Sequence, residues 1–101
     1  MLRAVISPEG WRDLEDIAAR IAAHDVDTAD RLTRELLRRC DMLAQLPHLG
    51  RSRPDIREDI RSFAVGAYVI LYTIDEADVQ IRRVLRGSRD IAAALASGRD
   101  D

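Results

Sequence analysis

The chain holds few side chains from which chemistry could be built. Its two histidines, His24 and His48, share no H-x-x-x-H or comparable ligand spacing, so both read as structural or solvated and no metal site is expected. Cys40 is the lone cysteine, which excludes an internal disulfide and a cysteine-rich zinc site. It falls on the apolar stripe of a helix, where a small buried hydrophobe is expected rather than a nucleophile. Ser7 has the position of a helix cap and Ser88 that of a turn residue. Asp13, Glu15 and Asp16 read as the solvated face of a helix, not as a convergent acid and base. The chain has no phosphate loop, no G-x-G-x-x-G and no C-x-x-C, and no cofactor is expected.

The arginines are harder to set aside. All sixteen basic residues are arginine, and several lie in the segment 61–90. Strand alternation places Gln80, Arg82, Val84 and Arg86 on one face, and Val79, Ile81, Arg83 and Leu85 on the other. The second set is mostly apolar and should meet the helices. Arg83 on that side needs a partner, which an acid of the first helix or Asp90 could supply. Arg82, Arg86 and Arg61 are expected on the open face, as a solvated surface or as a surface for a partner.

These side chains need a frame, and the segment 61–90 is its centre. Tyr68 to Ile74 and Val79 to Leu85 are rich in β-branched and aromatic residues and flank the polar stretch 75–78, a β-hairpin signal. Arg61 to Ala64, followed by Val65-Gly66-Ala67, predicts a shorter strand and a tight turn. Leu2 to Ile6 predicts another strand. Ser7 suits an N-cap and Pro8 the first helical position, with Glu9 favoured in the first turn. Trp11, Leu14, Ile17, Ala18, Ile21 and Ala22 make one buried stripe.

A second helix should begin with Asp27 or Thr28 as its cap. Ala29, Leu32, Leu36, Cys40 and Leu43 mark its stripe, widened by Leu37 and Leu46, and Pro47 and Gly50 end it. The short connection implies an antiparallel helical hairpin. Residues 47–59 read as a surface loop. Gly87 to Asp90 reads as a turn, Ile91 to Ala96 as a short helix capped by Ser88 or Asp90, and 98–101 as a frayed tail. The expected fold is α+β: a helical hairpin on one face of a small antiparallel sheet, in the order β-α-α-β-β-β, forming one domain over 1–97.

Composition narrows the function classes. A hydrophobic content of 47% and a charged content of 34% describe an ordinary globular domain of 101 residues. No run approaches the roughly 20 apolar residues that span a bilayer. The N-terminal apolar stretch is too short for a secretory signal, so a cytoplasmic location is expected. The net charge is −2, which disfavours strong nonspecific binding to nucleic acid. Residues 51–89 are mildly basic, with 8 arginines against 6 acids, while residues 1–50 carry 7 against 9.

Several of these pieces recur together in a known family. They are the early strand before Ser7-Pro8, Asp13-Leu14-x-x-Ile17, Ala29 opening the second helix, and Leu46-Pro47-x-x-Gly50-Arg51. Then come Arg61 before Val65-Gly66-x-Tyr68-x-Ile70-x-Tyr72, and Arg83-Val84-Leu85-x-Gly87-x-Arg89-Asp90. In this order they resemble the ParE branch of the RelE/ParE toxin superfamily, the toxin halves of type II toxin–antitoxin modules. Arg86 departs from the family, which often has histidine there. The resemblance assigns Arg83, Gly87, Arg89 and Asp90 to the structural motif.

The superfamily has two activities. RelE-like members cleave messenger RNA in the ribosomal A site, and their chemistry needs positive charge on the developing phosphorane and a group that handles protons. Arg61 and Arg89 could supply charge, but the stretch after Arg89 has no tyrosine or histidine. The resemblance therefore implies the ParE alternative, a toxin that binds and poisons DNA gyrase without a catalytic centre. It also implies a cognate, ParD-like antitoxin that wraps the toxin with an extended segment, forming a hetero-oligomer. Trp11, Arg12 and Arg20 on the helical hairpin, with Arg82 and Arg86 on the sheet, are the expected partner-binding residues.

Overall fold

Ser7 divides strand from helix as its type and neighbours dictate. The computed structural model describes residues 2–87 and Ile91. Expectations for Ser88, Arg89, Asp90, the remainder of the Ile91–Ala96 helix and the tail 98–101 lie outside the described residues. Strand β1 (Arg3–Ile6) ends at Ser7, whose extended backbone and hydroxyl cap helix α1 (Pro8–Ala22). The Ser7 Oγ accepts the Gly10 N–H at 2.9 Å and donates to the Arg82 carbonyl at 2.8 Å. One side chain thus closes the helix and ties it to the sheet.

Helix α2 (Val26–Gln45) begins earlier than expected, and its cap is Asp25, not Asp27 or Thr28. The Asp25 carboxylate accepts the Asp27 N–H at 3.0 Å and the Thr28 N–H at 3.4 Å, and the Thr28 hydroxyl donates to it at 2.9 Å. Thr28 and Asp27 are therefore the first-turn donors of the motif whose acceptor is Asp25. The connection between the helices is so short that they pack as the expected antiparallel pair.

The remaining strands are β2 (Arg51–Ser52), β3 (Arg61–Val65), β4 (Tyr68–Ile74) and β5 (Asp78–Arg86). They form one five-stranded sheet in the order β1-β5-β4-β3-β2. The α+β architecture is as expected, with one difference in strand direction. β1 runs parallel to β5, from Arg3 opposite Asp78 to Ile6 opposite Ile81, so the sheet is mixed. Parallel neighbours need a long crossover, and the helical hairpin is part of the connection that supplies it. Gly66, at φ 58°, makes the β3–β4 turn in a conformation that favours glycine.

The β4–β5 ladder carries a bulge. Leu71 lies opposite Arg83 and Tyr72 opposite Ile81, which leaves Arg82 as an extra residue. Strict alternation therefore fails across it. Val79 and Ile81 face the helices, and beyond the bulge Val84 does so beside Ile70. Leu85 instead turns to the opposite face and packs with Leu71 and Ile60. The expected grouping of Leu85 with Val79 and Ile81 is corrected by this one inserted residue.

The helix-side core joins Leu14, Leu36, Cys40 and Leu43 to Ile70, Tyr72 and the inward residues of β5. Each fully buried leucine contributes about 2 kcal/mol through removal of its side chain from water. The far face, expected to be open, is partly covered. The segment read as a surface loop contains β2 and then folds back, with the Arg53 N–H donating to the Ile60 carbonyl at 2.8 Å. Ile60 is fully buried there and Ile56 packs alongside. No helix among the described residues is long and apolar enough to cross a membrane.

Candidate partner-binding surface

Asp13 and Arg83 form a largely buried ion pair that ties helix to sheet. Asp13 Oδ2 accepts Arg83 Nε at 2.7 Å and the Val84 backbone N–H at 2.9 Å, and Oδ1 accepts Arg83 Nη2 at 3.1 Å. The two side chains are only 11% and 18% exposed. Asp13 is thus not part of a solvated face, as its neighbours had suggested. It is the first-helix acid that Arg83 requires, and it pins α1 to the strand just beyond the bulge. Because its oxygens are held by three donors, the carboxylate is a structural anion and not a free base.

A second buried polar contact joins the two other motif pieces. The Tyr72 hydroxyl donates to the Pro47 carbonyl at 2.7 Å and accepts the Gly50 N–H at 2.9 Å. A Cβ on Gly50 would lie 2.7 Å from Tyr72 Cε1 and 2.9 Å from the Ser62 carbonyl oxygen, so only glycine fits. Cys40 is also internal, and burial pushes its thiol up to about 12, with the nearby Asp41 charge adding to the effect. A thiol so rarely ionised is no nucleophile.

The expected partner-binding residues divide into separate places. Trp11 was placed on the buried stripe, yet it is 48% exposed. The line through Leu14, Ile17 and Ile21 passes through buried Gly10 instead, a spacing visible in the sequence. Arg12 and Arg20 are exposed on α1. Arg20 stands nine residues after Trp11, about 13 Å along the helix axis. A shallow cleft of about 200 Å³, lined in part by Asp16, Arg20, Tyr68 and Arg86, brings Arg20 and Arg86 together. The Arg86 guanidinium lies 5.8 Å from the Tyr68 ring centroid, within cation–π range.

Arg82 does not share that side. Its Nε donates to Thr73 Oγ1 at 3.1 Å, on the face of β4 that also carries Leu71. The bulge thus separates two arginines that alternation had placed together. Arg61 on β3 pairs in register with Tyr72, and Arg86 on β5 pairs with Tyr68, so they are offset by about four residues, roughly 13 Å, along the strands and stand on opposite sides of β4. Arg61 Nη2 reaches the His48 carbonyl at 3.5 Å, while its buried Nε has no hydrogen-bond partner among the described residues. Arg89 and Asp90 lie outside the described residues. Gly87 continues the sheet by donating its N–H to the Ala67 carbonyl at 2.9 Å.

Sequence reasoning missed an apolar patch. Leu46 was expected to widen the α2 stripe, but it lies past the last helical turn and is 55% exposed, next to exposed Leu49. Among the described residues no group of three histidine, cysteine or acidic side chains is placed to hold a metal ion.

The comparisons with known proteins agree with this frame. The chain matches the ParE toxin of the type II toxin–antitoxin system, parDE, over residues 4–91. A curated relative, Toxin ParE3 of Caulobacter vibrioides, is 42% identical over 53 residues, which is 52% of this chain and 53% of the relative. The chain thus spans about half the length of that relative. A solved structure titled "Chromosomal ParDE TA system from P. aeruginosa" superposes with a TM-score of 0.75 at 17% identity, covering 85% of this chain and 96% of the other. At that identity it bears on the fold alone. With the strand, helical hairpin and sheet in place and the family matched over nearly the whole length, the chain belongs to the ParE toxins of type II toxin–antitoxin systems.

Proposed function

We propose that this toxin acts by binding DNA gyrase and arresting its cycle, and that a cognate, ParD-like antitoxin neutralises it in a hetero-oligomeric complex in the cytoplasm. The observation that carries the binding mechanism is the engagement of the chain's reactive groups by its own fold. Asp13 and Arg83 hold each other, and Tyr72 holds the segment at Gly50. Ser7 caps a helix and Cys40 is buried. What the molecule presents outward is recognition chemistry: a half-exposed tryptophan, exposed arginines and an apolar turn. Tryptophan and arginine are the residues most enriched where binding energy concentrates.

The antitoxin is assigned to the outer surface of the helical hairpin, around Trp11, Arg12 and Arg20, and to the free edge of β1. That strand is at the end of the sheet, and its outer backbone groups have no strand partner among the described residues. Arg86 lies beside Arg20 and extends the surface, whereas Arg82 faces away.

A gyrase supercoiling reaction with purified toxin tests the mechanism. Loss of supercoiling with trapped, cleaved DNA, reversed by antitoxin, is the expected result. Unaffected gyrase together with messenger-RNA cleavage on translating ribosomes would replace it with the RelE-like activity. In the same system, Arg12→Ala and Arg20→Ala should weaken antitoxin binding; unchanged affinity would remove the hairpin from the interface.

A further inference from the structure

The two half-exposed leucines past the end of α2, Leu46 and Leu49, belong to one ordered turn. With Gln45, Pro47 and His48 they line a shallow depression of about 320 Å³. Leu49 donates its N–H to the Leu46 carbonyl at 3.0 Å, and Leu46 donates its own to the Met42 carbonyl at 2.9 Å. From below, the Tyr72 hydroxyl fixes both Pro47 and Gly50. A buried core tyrosine thus orders a turn whose leucines face outward. Two guanidiniums stand beside it without a direct partner. Exposed Arg51 follows Gly50, and Arg61 reaches the His48 carbonyl only at 3.5 Å, its buried Nε lacking an acceptor among the described residues. Neither arginine has a carboxylate within 4.0 Å among the described residues, since Asp55 pairs with Arg53 at 2.9 Å and Asp59 with Arg57 at 2.7 Å. Asp41, one helical turn before Gln45, and exposed Glu58 offset the two arginines at longer range. The surface is therefore not a basic field but an apolar knob with two unpaired cations at its side.

We propose that this turn, Leu46 to Arg51 with Arg61 beside it, is the surface through which the toxin grips its target, seated in an apolar pocket of gyrase whose rim carries a carboxylate. The inference rests on the gyrase-binding reading and adds the place and chemistry of the contact. The pocket removes both leucines from water, and a turn already ordered loses little freedom on binding. Turning Arg61 outward breaks only a contact at the limit of hydrogen-bond length. It then gives the orphaned Nε and Nη2 to one carboxylate, the fork that suits a guanidinium. A nucleic-acid backbone has no use for two leucines and a proline, and without a basic field it is poorly held. The turn leads into β2, at the sheet edge opposite β1, four strand spacings or about 19 Å away. Target and antitoxin therefore meet different parts of the molecule.

The test is a gyrase supercoiling assay with wild type, Leu46→Ser/Leu49→Ser and Arg61→Gln, beside calorimetric titration of each with purified cognate antitoxin. Thermal melts establish that each variant is folded. The expected result is a rise of about tenfold or more in the toxin concentration for half inhibition in the leucine variant, and a smaller rise in Arg61→Gln. Antitoxin affinity should stay within about twofold of wild type in both. Inhibition by the leucine variant that matches wild type overturns the assignment of the turn while the gyrase reading stands. A parallel loss of antitoxin affinity overturns it too, because the turn would then belong to the antitoxin surface. Sedimentation that shows wild type self-associating through these leucines, with inhibition unaltered in the variant, assigns the turn to a second copy of the chain instead. A wild type that leaves gyrase unaffected overturns both readings.

Discussion

The two faces of the sheet are covered by different means. On one face, two long helices lay continuous apolar stripes on Ile70, Tyr72, Val79, Ile81 and Val84. On the other, a segment with two prolines folds back and covers Leu71 and Leu85 with Ile60 and Ile56. The first cover is built from rigid elements with a 3.6-residue period, packed over many residues. The second rests on a two-residue strand, a few turn hydrogen bonds, and Ile56 and Ile60 with Ile91 packed alongside. A rigid cover cannot collapse into a void, whereas a loop can move to fill one. The difference predicts unequal costs for similar deletions.

Leu36→Ala on the helix side should cost about 4 kcal/mol, read from urea unfolding, because Leu36 is fully buried between stiff elements. An equal or smaller cost than at Ile60 would break the comparison. Asp13→Ala should follow at about 3 kcal/mol, since it leaves the largely buried Arg83 guanidinium without its carboxylate. If the double substitution Asp13→Leu/Arg83→Met recovers most of that loss, the cost lies in the broken ion pair and not in lost packing. Ile60→Ala on the loop-covered side should cost about 2 kcal/mol, as the segment around it closes over the gap. A loss as large as that at Leu36 would mean that the loop is as rigid as the helices.

The smallest effect belongs to the turn that joins β4 and β5, outside both cores. Backbone N–H groups of Asp78 and Ala77 hold the Asp75 carboxylate below its ordinary value of 3.8. A lowered folded value stabilises the native state above the unfolded value and loses that contribution as the pH falls through the folded one. Asp75→Asn keeps an acceptor in the turn but removes the charge. Its melting temperature should lie slightly below wild type near neutrality, where the charge contributes, and converge with wild type in acid, below about pH 4. Parallel acid limbs for the two proteins would exclude Asp75 as a contributor.

Much of the frame was legible because it depends on local rules. Ser7-Pro8 announces a capped helix, Gly66 a turn, and the β-branched runs around residues 75–78 a hairpin, and each forms as read. The candidate site was less legible. Trp11 was read into the stripe because it is apolar, although the exact helical line passes through Gly10. Asp13 was grouped with Glu15 and Asp16 because its partner lies 70 residues away. Arg82 and Arg86 were placed on one face because alternation was extended through a bulge that has no local signature.

The sequence by itself therefore determined the elements and their order, since caps, turns and periodicity act between residues a few positions apart. Its motif also determined the family. Only the tertiary structure decided which arginines stand together, which acid meets Arg83, and how the far face is covered. These depend on register between strands and on contacts across dozens of residues. A single extra residue in β5 reverses the facing of everything after it.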